Sequence, residues 1–181
     1  FDHKAMVNVH DLALTVVDGR LPAAEAAIQD ARADGDSGIP LEPFKNPFRH
    51  VGARTLAQEI VASAPIPDAI LVPTGEGTTI VGLYEGLLRL QSRGAIERLP
   101  RLYAVQPTGC APIAEAFHEQ RPIEPIDRPD TVCGELEVPN PRGGEWVLDS
   151  LEATAGGAVA VSDDRILDAA VDAARSAGIE A

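Results

Sequence analysis

The chain has 181 residues, 45% of them hydrophobic and 4% aromatic, with a formal net charge of −13 and a pI near 4.6. That is enough for one domain-sized core built on small aliphatic side chains. The charge excludes a polyanionic partner such as nucleic acid. No apolar stretch approaches the roughly 20 residues needed to span a bilayer.

In chain order, "LALTVVDG" (12–19) is a β-branched run closed by Asp-Gly and predicts a strand. "LPAAEAAIQDARADG" (21–35) has Pro near its start, apolar residues at helical spacing and Gly at its end, so it predicts a helix. Residues 34–52 are dense in Gly, Pro and Asp and read as loop. A helix follows over 53–65, stopped by Pro, then a buried strand "DAILVPTG" (68–75). "TTIVGLYEGLLRLQSRG" (78–94) predicts a helix, "RLYAVQPTG" (101–109) a strand, and "CAPIAEAFHEQ" (110–120) a helix with Pro in its first turn. After an irregular Pro-rich stretch (121–130) come a helix over 143–157, a strand over 158–162 and a helix over 163–178 that Ser162 and Asp163 are placed to cap. Alternating strands and helices predict an α/β layer fold with a mainly parallel sheet. Ligands in such folds sit beyond the carboxyl ends of the strands, where "PTGEGTT" (73–79) and "QPTGC" (106–110) lie.

"PTGEGTT" admits two readings. As an anion cradle, Gly75 and Gly77 let the backbone approach a phosphate without a Cβ in the way, and successive amides turn inward as a nest. Thr78 and Thr79 add hydroxyl donors, and the following helix adds unpaired N–H groups and the positive end of its dipole. Glu76 must point its charge away from a bound anion. No lysine follows the loop, which excludes the nucleoside-triphosphate pattern, and the spacing departs from GxGxxG. A phosphate monoester fits better. The other reading is a tight strand-to-helix turn capped by Thr, common in α/β chains.

Four blocks carry a family resemblance: "NPFRHVGARTLAQEI" (46–60), "DAILVPTGEGTTIVGLYEGLLRL" (68–90), "LPRLYAVQPTGCAPIAEAF" (99–117) and "GGAVAVSDDRILDAAVDAARSAGIEA" (156–181). In order and spacing the chain resembles threonine synthases, pyridoxal 5'-phosphate (PLP)-dependent enzymes of the tryptophan-synthase-β-like fold. "NPFR..G..T...EI" and "VQ..GCAPI..AF" resemble threonine synthase more than the related serine and threonine dehydratases.

The resemblance implies a three-layer open, mainly parallel sheet, with residues 1–35 a remnant of the smaller N-terminal subdomain and 36–181 part of the large PLP-phosphate-binding domain. It implies conversion of O-phospho-L-homoserine and water to L-threonine and phosphate, with Gly75, Glu76, Gly77, Thr78 and Thr79 binding the cofactor phosphate. Many members have Asn or a further Gly where this chain has Thr78 or Thr79.

The family's Schiff-base lysine lies in a Ser-x-Lys-Asp-like motif upstream of the "VVDG" strand. The only lysines here are Lys4, in "FDHKAMV" with neither the Ser nor the Asp, and Lys45, in the Pro-rich loop. Lys4 reads instead as a snorkelling surface residue. The first residues also lack a secretion pattern and an initiating Met. The sequence is therefore expected to begin inside a longer protein or after processing, with no catalytic residue of its own and no activity alone. The group facing the pyridine nitrogen is expected beyond Ala181. Two alternatives stand beside this reading: a PLP-dependent serine/threonine dehydratase or other β/γ-replacement enzyme, and a non-catalytic split or truncated chain. The expected partner is a small-molecule substrate, and a homodimer is compatible.

The smaller signals are read as structural. Cys110 and Cys133 make neither a disulfide framework nor a metal cluster, so no metal site and a reducing cytoplasm are expected. Cys110 precedes a helix N-terminus, but a small packed residue is the expected role. His3, His10, His50 and His118 have no ligand spacing, and Arg49 and His50 face either a substrate phosphate or solvent. Trp146 is expected to anchor a helix in the core, and Glu59 to pair with backbone or Arg.

The acidic, lysine-poor surface fits a high-salt interior, although a GC-rich gene also favours Arg over Lys. The salt reading predicts retained solubility in molar salt; precipitation there rejects it.

Overall fold

The computed structural model describes residues 13–19, 21–35, 37–39, 41, 44 and 46–179. The chain forms two compact units, residues 1–42 and 43–181. In the first, helix α1 (Leu21–Ala33) forms where the sequence places it. Gly35 closes it at φ 104°, in the left-handed region.

The strand predicted over 12–19 does not form among the described residues: 13–17 have no regular structure and 18–19 bend. Leu14 and Val16 are exposed. A β-branched run extends readily, but a strand exists only when another strand completes its ladder. Among the described residues none pairs with this run.

The second unit runs α2 (Pro47–Ala53), α3 (Thr55–Ser63), β1 (Ala69–Pro73), α4 (Thr78–Ser92), β2 (Arg101–Pro107), α5 (Pro112–Glu119), a 3-10 turn (Gly134–Leu136), α6 (Gly144–Ala153), β3 (Gly157–Val161) and α7 (Asp163–Ala177). Helix α2 corrects the loop expected over 34–52. Its start is explicit: Asn46 Oδ1 accepts the Phe48 N–H at 2.9 Å, and Pro47 sits where a missing N–H costs nothing.

The three strands are parallel in the order β1-β2-β3, with register Ala69↔Arg101 through Pro73↔Val105 and Tyr103↔Gly157 through Pro107↔Val161. This is the expected α/β arrangement. Right-handed crossovers in a strictly sequential order place the connecting helices on one face. The core agrees. Val72, Leu102, Ala104 and Ala158 share that face and one cluster with Ile80, Leu83 and Leu87 of α4, Ile113 of α5, and Val147 and Leu151 of α6. On the other face Leu71 and Val159 are 66% and 41% exposed.

Two expectations about α6 and α7 are corrected. Trp146 is 56% exposed rather than a core anchor. Val147, Ser150 and Leu151 turn inward, so the adjacent position faces outward, where the Trp146 ring stacks on Phe44 at 4.7 Å. Ser162 makes no side-chain cap to α7; the Asp163 carboxylate instead accepts from Thr131 Oγ1 (2.7 Å) and Val132 N–H (2.9 Å), tying a distant loop to the helix start.

Helices α2 and α3 approach α4 closely. A Cβ on Gly82 would lie 2.4 Å from Ala53 Cβ, and one on Gly86 would lie 2.6 Å from Arg54 O and 2.8 Å from Ala57 Cβ. Arg54 also pairs with Glu85 across this contact. Alanine normally improves a helix interior by about 1 kcal/mol over glycine. Here Gly86→Ala is predicted to destabilise by about 1–3 kcal/mol in urea denaturation, because backbone must move to admit the methyl. A stabilised variant would reject this packing.

Candidate cofactor-binding site

Thr74 carries the chain out of β1. Its N–H donates to Val105 O (2.9 Å), extending the ladder by one residue, and its Oγ1 donates to Val72 O (2.7 Å). Gln106 of β2, fully buried, then fixes the exit. Its Nε2 donates to Thr74 O (3.1 Å), while its Oε1 accepts from Ile113 N–H (2.9 Å) and Ala114 N–H (3.1 Å) in the first turn of α5. One side chain thus holds the start of the glycine-rich loop and the start of a neighbouring helix together. Composition and spacing give Gln106 no role, although a polar residue inside the apolar run "LYAVQP" is the available signal.

Beyond Thr74 the loop runs close to its neighbours. A Cβ on Gly75 would lie 3.0 Å from Val138 Cγ2 and 3.1 Å from Glu135 O. Gly77 caps α4 at φ 96°, and a Cβ there would lie 2.6 Å from Val147 Cγ2. Only glycine meets both demands at position 77. No side chain caps α4, whose first intrahelical bond is Val81 N–H to Gly77 O (3.1 Å). The amides of Thr78, Thr79 and Ile80 therefore have no intrahelical acceptor. Thr78 Oγ1 is buried beside them without a hydrogen-bond partner. A buried hydroxyl of this kind is costly unless something fills the site.

The five residues singled out in the sequence divide by role. Gly75, Gly77 and Thr78 meet at the α4 N-terminus. Thr79 lies exposed on the first turn. Glu76 turns toward residues 142–143: its Oε2 accepts the Arg142 N–H (2.9 Å) and its backbone oxygen accepts the Gly143 N–H (3.2 Å). Donors dominate what remains, at the positive end of a helix, an arrangement suited to a phosphate monoester.

The other candidates lie elsewhere or are packed. Cys110 is fully buried two residues before α5 begins, in keeping with a packed small residue. The His50 ring meets Phe44 edge-on at 4.4 Å and its Nε2 lies 3.2 Å from Phe44 O, so it serves packing. Arg49 and Glu59 are exposed. Lys4, Lys45, His3 and His10 fall outside the described residues. Among the described residues no group of three His, Cys, Asp or Glu is placed to hold a metal, and no helix is long and apolar enough to cross a membrane.

A glycine-rich loop and an uncapped helix start at the carboxyl end of a parallel sheet define the class as an α/β protein with donors open at the strand ends. The family model "Pyridoxal-phosphate dependent enzyme" matches residues 3–181, and the chain belongs to that family, with pyridoxal 5'-phosphate as cofactor. The chain is similar to threonine synthase of Methanocaldococcus jannaschii, 34% identical over 137 residues, covering 74% of this chain and 34% of the relative. It is 27% identical over 176 residues to threonine synthase of Mycobacterium tuberculosis, covering 97% of this chain and 47% of that one. The chain thus spans a third to a half of the length of these relatives.

Among solved structures, the processed form of threonine deaminase isoform 2 from Solanum lycopersicum superposes with a TM-score of 0.78 at 21% identity, covering 98% of this chain and 46% of that one. Maize serine racemase gives 0.76 at 17%, covering 97% and 52%. At these identities the likeness establishes the fold.

The residues present fit the phosphate end of the cofactor: an unpartnered buried hydroxyl, three first-turn amides and a glycine cap. Thr78→Val keeps the shape and removes the hydroxyl. It is expected to weaken PLP binding about tenfold, equivalent to about 1.4 kcal/mol for one lost hydrogen bond, in a fluorescence titration of the intact protein. Unchanged affinity would remove Thr78 from the cradle.

Proposed function

We propose that this chain supplies the cofactor-phosphate cradle and part of the large domain of a threonine synthase-like enzyme. The reaction is conversion of O-phospho-L-homoserine and water to L-threonine and phosphate. The observation that carries the reading is the similarity to threonine synthases, at 34% identity over 137 residues for one relative. The threonine deaminase and serine racemase structures support a second reading, a dehydratase or related enzyme on the same fold, but at 21% and 17% identity they bear on fold rather than reaction.

When bound, PLP supplies the electron sink that stabilises substrate carbanions. The chain's own residues do the holding. The amides of Thr78, Thr79 and Ile80 and the Thr78 hydroxyl bind the phosphate, Gly77 gives the backbone its turn, and Gln106 fixes where the loop leaves the sheet. Glu76 acts on the loop's shape through residues 142–143, whose N–H groups meet its carboxylate and its backbone oxygen. Residues 36–181 belong to the large domain in this reading, and residues 1–35 to the smaller one. The nucleophilic lysine that anchors the cofactor is assigned outside the 181 residues.

The intact protein is expected to release inorganic phosphate from O-phospho-L-homoserine with threonine as co-product. Ammonia release from threonine or serine without that activity would select the dehydratase reading, and turnover of neither would select a non-catalytic role. Borohydride reduction with PLP and peptide mapping is expected to leave Lys4 and Lys45 unlabelled; a label on either overturns the placement of the lysine.

A further inference from the structure

Phe44 holds its backbone at φ 58°, in the left-handed region that bulky side chains rarely enter. Such a conformation persists only where the surroundings fix it. Three neighbours do so here. The His50 ring meets the Phe44 ring edge-on at 4.4 Å, and its Nε2 lies 3.2 Å from Phe44 O. The Trp146 ring stacks on Phe44 at 4.7 Å with the planes 27° apart. Gly143 lies against the same ring: a Cβ there would stand 2.3 Å from Phe44 Cε2 and 2.5 Å from Cδ2. Phe44 is buried by these contacts. Gly143 is where the cluster reaches the glycine-rich loop. The same added Cβ would stand 2.3 Å from Glu76 O, so Gly143 has both the ring and the loop backbone against it. Its N–H donates to Glu76 O at 3.2 Å, and its carbonyl accepts the Val147 N–H at 2.9 Å. Gly143 O and Val147 Cγ2 then both limit Gly77, the cap of α4: a Cβ on Gly77 would lie 3.3 Å from the first and 2.6 Å from the second.

We propose that Phe44 is a positioning residue of the anion cradle. Its ring holds Gly143 on the Glu76 backbone, and Gly143 and Val147 in turn fix Gly77. The Thr78, Thr79 and Ile80 amides and the Thr78 hydroxyl follow Gly77 directly, so the ring sets where those donors point toward a phosphate monoester. This rests on the phosphate-cradle reading above. It gives the left-handed Phe44 backbone a purpose, since that conformation places the ring on Gly143. Phe44 touches no ligand in this role and lies outside the glycine-rich loop.

The test compares F44G, F44Y, T78V and the double variant F44G/T78V in the intact protein. PLP is titrated by fluorescence and inorganic phosphate by equilibrium dialysis, at a temperature where circular dichroism shows each variant folded. Glycine accepts φ 58° without strain, so F44G removes the ring and leaves the backbone its conformation. It is expected to weaken both ligands about tenfold, because the support of the site is lost while its donors remain. F44Y keeps the ring and is expected to bind within about threefold of the parent. A hydroxyl that is already misdirected has less left to lose, so the double variant is expected to fall about thirtyfold or less, short of the roughly hundredfold product of two independent tenfold losses. A purely structural Phe44 would lower the unfolding midpoint and leave the affinities of the folded protein unchanged.

Parent-like affinities in folded F44G, an F44Y variant as weak as F44G, or the full product in the double variant overturns the inference. Should F44G fail to fold, F44L takes its place, filling much of the space without a flat face for Gly143. F44L is expected to bind about threefold or more weakly, and parent-like affinity there overturns the inference instead. Competition between PLP and inorganic phosphate in the parent protein separates the two levels. No competition sinks the cradle itself, whereas competition with the wrong variant pattern sinks only the role of Phe44.

Discussion

The geometry of the cradle depends on a single buried amide. Gln106 sits in the central strand with no solvent exposure, and an unsatisfied side-chain amide there would cost a few kcal/mol. Its bonds to Thr74 O, Ile113 N–H and Ala114 N–H avoid that penalty. Satisfying Gln106 and positioning the loop are therefore one physical requirement. A hydrocarbon of the same size would pack in the strand but would leave the Thr74 carbonyl and two helix-start amides without their partner.

The loop is constrained from the opposite side by close approach. Gly75 lies against Val138 and the Glu135 carbonyl, Gly77 against Val147, and Glu76 against residues 142–143. All these contacts come from the stretch following α5, which also contains the bond from Asp130 N–H to Gly109 O (3.0 Å) and the bonds from residues 131–132 to Asp163. The segment 135–143, together with Val147 of α6, is thus a wall against the loop. The stretch's own backbone bonds are mostly short-range turns, such as Leu136 N–H to Cys133 O (2.8 Å), and others go to other segments.

What was legible in the sequence followed from local chemistry. Strands β1, β2 and β3 are short apolar runs, and α4, α5 and α7 have periodic apolar or small residues with Gly or Pro near their ends, so each was found within a few residues. The glycine-rich loop was recognisable because Gly75 and Gly77 precede a helix. What was not legible depended on partners distant in sequence. The run over 12–19 had strand composition but no pairing strand among the described residues. Trp146 had core composition but fell on the outer side of α6. Gln106 and Arg142 matter through residues 32 and 66 positions away, a relation that composition and spacing do not encode. Helix α2 was different: its Asn-Pro start was in plain view, obscured by the Gly, Pro and Asp around it.

The two halves of the Gln106 bridge differ in the order in which they can be made. Its contacts to Ile113 and Ala114 span seven and eight residues and need only the turn into α5. Its contact to Thr74 spans 32 residues and requires β1 and β2 to be already in parallel register, with α4 folded between them. Closing a longer loop has a larger entropic cost, and parallel pairing is intrinsically slow. The bond from Gln106 to the loop is therefore the half of the bridge that depends on sheet register. A break in the pairing of β1 with β2 would accordingly free Thr74 from the bridge while leaving the turn into α5 its own two bonds.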